Sequence, residues 1–154
     1  MAPQLRGEMF KFFTILPTQI GVVAMLMVCL AALVVGRRLE RWLAVATIAA
    51  WFASAAVQTH DRAAVQWGIF TVDLIYLLVL MICSAFERRL WILFMTAFQL
   101  LVVLTHVVFI IDLTLMQWGF FSTYYLWSYA ELVAFAVGVI QAGWSRWGPR
   151  GARG

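Results

Sequence analysis

VQWGIFTVDLIYLLVLMICSAFERRLWILFMTAFQLLVVLTHVVFIID, residues 65–112, is the stretch whose reading decides the fold. It predicts a membrane hairpin. One apolar run carries Asp73, a charged turn follows at Glu87, Arg88 and Arg89, and a second apolar run carries Gln99 and His106. Ionisable side chains are costly in hydrocarbon and face protein or a water-filled cavity when they occur there. The hairpin therefore predicts both the class of fold and the place of any site.

The rest of the chain agrees with that class. Of 154 residues, 65% are hydrophobic and 12% charged, against about 25% charged in a soluble domain. A soluble fold of this length cannot hide so much apolar surface, whereas a bilayer accepts it on the outside. The prediction is an all-α, polytopic transmembrane helix bundle forming one domain over residues 1–154. The net charge of +4 comes from short charged clusters between apolar runs. That is a membrane-topology pattern, without the basic stripe that nucleic acid requires. Cys29 and Cys83 lie inside apolar runs without a C-x-x-C spacing, so they read as small buried residues.

Five spans are predicted, at about 18–36, 42–58, 65–86, 90–111 and 124–144; four is the alternative if residues 42–58 do not cross. Residues 1–14 mix Arg6, Glu8 and Lys11 with Leu5, Met9, Phe10, Phe12 and Phe13, a composition for an interfacial helix. The run after it is too long for a signal-peptide core and is expected to stay as a span. Pro17 suits the first turn of span one. In span two, Ala46, Ala50 and Ser54 repeat at spacing four, which predicts close helix packing and a central position in the bundle. His60 and Asp61 belong to a polar turn, and residues 112–119 read as a loop. An aromatic belt opens span five. Residues 145–154 are expected to be a flexible, basic cytoplasmic tail.

Charge sets the orientation. With five spans, Arg37, Arg38, Arg41, Arg88, Arg89, Arg146, Arg150 and Arg153 fall on one side, and Arg6, Lys11 and Arg62 on the other, eight against three of the eleven basic residues. The positive-inside rule then predicts an inner (plasma) membrane protein with its N-terminus outside and its C-terminus in the cytoplasm.

At 1.5 Å per residue, Asp73 lies roughly 10 Å, His106 roughly 9 Å and Glu131 roughly 12 Å below the outer surface. Each heads a polar stripe: Gln66, Asp73, Tyr76 and Ser84; Gln99 and His106; Tyr124, Ser128, Glu131 and Gly138. The expected site is a ligand- or proton-binding pocket of Asp73, Tyr76, Gln99, His106, Ser128 and Glu131 in the outer half of the membrane. Its expected resting state is an Asp73–His106 ion pair with a protonated Glu131. Proton transfer and binding of a polar headgroup both suit these groups, as does interhelical hydrogen bonding alone. Asp73, His106 and Glu131 are also candidate ligands for a divalent metal, although no H-x-x-x-H or E-x-x-H pair sits on one helix. A haem between His60 and His106 needs the two at similar depth, and His60 is about 9 Å shallower.

Three functional readings follow. The first is a non-enzymatic accessory or assembly subunit, with the lipid bilayer and other membrane subunits, or copies of itself, as partners. The second is a proton- or ion-coupled carrier or channel working as an oligomer. The third is an intramembrane enzyme, or a metal- or haem-binding protein, using Asp73, His106 and Glu131. No nucleophile–base pair, zinc signature or phosphate loop supports catalysis.

Overall fold

Each apolar run becomes one helix, and Arg37 and the cluster Glu87, Arg88 and Arg89 fall at turns. The computed structural model describes residues 2–57, 65–111 and 117–147. It contains α1 (Ala2–Val35), α2 (Arg38–Val57), α3 (Trp67–Phe86), α4 (Leu90–Ile111) and α5 (Gln117–Trp147), with no strand among the described residues. Three stretches are long and apolar enough to cross a membrane: Trp67–Phe86, Leu90–Ile111 and Phe121–Ser145. The apolar part of α1, Gln19–Val35, is shorter.

The helices form a closed ring. Each packs on its neighbours in sequence, and α5 returns to α1. The short links make successive helices antiparallel, as in up-and-down bundles. At the basic end of the ring, Gly36 and Arg37 alone separate α1 from α2. Arg37 caps α2, and its N–H donates to Glu40 Oε2 at 2.9 Å. This is the reciprocal half of a capping box, in which an acid in the first turn reaches back to the cap. On the other link, the Glu87 N–H donates to the Cys83 carbonyl at 2.9 Å and closes α3. Arg89 then donates to Glu40 Oε1 at 2.7 Å, joining the two links.

Inside that half the ring is filled by Met25, Cys29, Leu43, Leu80, Ile92, Met95 and Phe135. Outside, Ile75, Leu78, Ile82, Phe86, Phe94, Leu104 and Val108 are exposed on α3 and α4. Between lipid and core there is no transfer energy to gain, so close packing holds such helices together. Trp91 stacks on Phe135 with centroids 6.0 Å apart, and α4 reaches α5 over Gly138. A methyl on Gly138 would overlap the Trp91 ring. Gly138→Ala is therefore expected to cost about 1–3 kcal/mol by overpacking, read by denaturant unfolding in mixed micelles. Gly119→Ala is the control, since nothing lies within 4 Å of its added carbon.

Several expectations change. Helix α1 runs unbroken through Pro17, so this proline is not in a first turn; the bond its missing N–H forgoes leaves the carbonyl one turn earlier without that partner. Helix α2 includes Arg38, Glu40 and Arg41 because Arg37 caps it. Helix α2 is not central: it packs on α1 and α3, and Ala50 and Ser54 border a cavity instead of a neighbouring backbone. Helix α5 begins at Gln117, inside the expected loop, and continues to Trp147. Residues 58–64 with His60 and Asp61, residues 112–116, the tail from 148, and the side chains of residues 1–18 on which the interfacial helix rests, lie outside the described residues.

Candidate functional site

The half of the ring away from the basic links holds a cavity of about 180 Å³ to which all five helices contribute. Small side chains make the space. Ala50, Ser54 and Ala55 on α2 face Ile69 and Asp73 on α3, with Val22 of α1 at the side. Gln66 and Phe121 lie near the ring end, while Tyr76 and Glu131 form the floor. Beneath the floor the apolar filling described above begins, so the cavity is blind.

The polar groups occupy two tiers. In the upper tier Asp73 is the shared acceptor. His106 Nε2 lies 3.0 Å from Asp73 Oδ2, and the Tyr124 hydroxyl reaches the same oxygen at 3.3 Å. Gln99 donates to the Asp73 carbonyl at 3.0 Å and lies 3.5 Å from its Oδ1. Asp73 and His106 are both buried. One carboxyl thus joins α3, α4 and α5, and a buried acid gathers donors in this way because an unpaired one is unfavourable in a dry interior. Edge contacts of Phe70 and Tyr124 on the imidazole, at 5.8 and 5.5 Å, fix the ring.

In the lower tier Thr47 donates to the Leu43 carbonyl at 2.8 Å and meets the Tyr76 hydroxyl at 2.7 Å. Glu131 lies beside the Tyr76 hydroxyl. The Glu131 Oε1 is buried and has no hydrogen-bond partner, in a residue only 7% exposed. Buried polar atoms are paired in the large majority of cases, so this one is an exception.

All six predicted pocket residues, Asp73, Tyr76, Gln99, His106, Ser128 and Glu131, line this cavity. The predicted single level divides in two: Asp73 meets His106, whereas Glu131 sits with Tyr76. Ser128 lines the wall and donates to the Tyr124 carbonyl at 2.9 Å. No group of three metal-ligating side chains forms among the described residues, because Glu131 belongs to the lower tier. Ser84 bonds its own helix at Met81 and lies outside the pocket. Thr47 and Trp51 were not expected here, whereas Gln66 and Tyr124 stand in the expected polar stripes and join the six in the lining. Compared with known proteins, the chain matches no family model, no curated protein and no solved structure. What is shown is a small all-helical protein with membrane-capable helices and a polar cavity within the ring.

Proposed function

We propose that this is a five-span inner-membrane protein, N-terminus outside and C-terminus cytoplasmic, that acts without catalysis by binding a small molecule in its outer-half pocket. The observation that carries the reading is the unpartnered Oε1 of Glu131 at the floor of a blind cavity. A conduit needs polar groups on both sides of the membrane, whereas here Met25, Leu80, Met95 and Phe135 fill the ring beneath the floor. Around Asp73 the donors are committed to holding the carboxyl, an arrangement of a scaffold more than of an acid–base pair. The orientation is supported by the gathering of basic residues: Arg37 reaches Ser145 Oγ at 2.8 Å and Arg89 reaches Glu40, placing both turns and the end of α5 together.

Thiol labelling tests the placement. In a background with Cys29→Ala and Cys83→Ala, Ser54→Cys is expected to react with an impermeant maleimide added to intact cells, and Ser145→Cys only after lysis. The reverse pattern overturns the orientation, and protection of both overturns the outward opening. Stability tests the role of Glu131. Because Oε1 has no partner to lose, Glu131→Gln is expected to leave thermal unfolding unchanged or to raise it slightly. A loss as large as that of an Asp73 variant would make Glu131 a structural residue and contradict the reading.

A further inference from the structure

We infer that the pocket's ligand is a small amphipathic amine, bound as an ammonium ion with its nitrogen at Glu131 and its apolar body along α2 and α3. The assignment rests on the ligand-binding reading above and deepens it. Glu131 lines the cavity and its Oε1 has no hydrogen-bond partner, so an ionised carboxyl there accepts from a donor on the ligand. An ammonium supplies three donors at one point.

The charges of the lining select the sign. Two acids, Asp73 and Glu131, face the cavity, and among the described residues no lysine or arginine does. His106 is the basic side chain of the lining, and it already lies 3.0 Å from Asp73. An anion would find no countercharge in a site of low dielectric, whereas a cation finds the Glu131 carboxyl.

The aromatic residues point the same way. Trp51, Tyr76, Tyr124 and Tyr125 belong to the wall, and cations are attracted to aromatic faces, most strongly to tryptophan. Size sets the class of body. A cavity of about 150 Å³ holds benzene, and this one is about 180 Å³. One ring or a short chain fits beside the ammonium, against Val22, Ala50 and Ile69.

Three probes of one shape and different charge test the inference: benzylammonium, benzyl alcohol and benzoate. Each is titrated into the full chain in phosphatidylcholine nanodiscs, with tryptophan fluorescence as the readout and empty nanodiscs as the blank. Benzylammonium is expected to bind about tenfold more tightly than benzyl alcohol, and benzoate to show no saturable binding. Glu131→Gln is expected to abolish the preference and to keep benzyl alcohol binding. Equal affinities for benzylammonium and benzyl alcohol in the wild type, or tighter benzoate, overturn the cation assignment and leave the pocket standing. A preference that survives Glu131→Gln overturns the placement of the nitrogen. No saturable binding of any probe overturns the pocket reading itself. The wild-type comparison needs no variant, so a folding failure of Glu131→Gln cannot obscure the result.

Discussion

Asp73→Leu is expected to destabilise the bundle by about 3 kcal/mol and to remove ligand binding with it. The substitution takes the acceptor from His106, Tyr124 and Gln99 together. Breaking a buried ion pair in a soluble protein costs about 3–5 kcal/mol. In a membrane the separated helices also find polar partners, and single interhelical bonds average about 0.6 kcal/mol. The two effects place the expected loss at the lower edge of the first range. The double variant Asp73→Leu with His106→Leu should recover part of it, because the stranded imidazole is removed as well. Unfolding by denaturant in mixed micelles measures both. If the double variant is no better than the single, the loss does not come from a stranded partner, and the account of Asp73 as a shared acceptor is wrong.

The second large effect lies at the opposite end of the ring. Glu40 is fully buried and satisfies two donors from different links, the Arg37 N–H and the Arg89 guanidinium. Glu40→Ala removes the cap and the cross-link together and is expected to cost about 3 kcal/mol. Arg89 is itself about one-third exposed, its side chain at 35%, so water softens the loss on that side. Glu40→Gln keeps an oxygen for the cap and should lose about half as much. Neither change should alter binding in the pocket, because the apolar filling of the ring stands between. Equal losses from Glu40→Ala and Glu40→Gln would show that the charge carries the whole contribution and the cap none.

These two sites differ in how legible they were. Asp73, Gln99 and His106 could be read directly, because a charged or amide side chain inside an apolar run has few explanations and helical rise gives its depth. Glu40 could not. It stands in a cluster with Arg37, Arg38 and Arg41 that reads as a solvated turn, and its second partner is 49 residues away. The capping spacing from Arg37 was the only local signal. Similarly, the small residues of α2 were visible, but a stripe of alanines fits a close helix contact and a cavity wall equally well. The ring's closure by α1 on α5 decides between them, and no local pattern encodes it. Helices α1 and α5 run beyond the expected spans for a related reason: polar residues next to an apolar run do not stop a helix that has already nucleated. Depth arithmetic placed Glu131 level with Asp73 because it started span five near residue 124; α5 begins at Gln117, Tyr124 is the residue level with Asp73, and Glu131 lies about two turns below it.

The contrast between Asp73 and Glu131 is the centre of the account. One acid is surrounded by donors and holds the helices together. The other lines the cavity and keeps a buried oxygen that has no hydrogen-bond partner. Native mass spectrometry of the protein released gently from its own membrane tests this most directly, with the wild type and Glu131→Gln compared. The expected result is a wild-type chain that retains a small bound molecule of defined mass and a Glu131→Gln chain that has lost it. Both chains appearing bare, or both carrying the same molecule, would contradict the claim that the pocket is built to receive a ligand at Glu131.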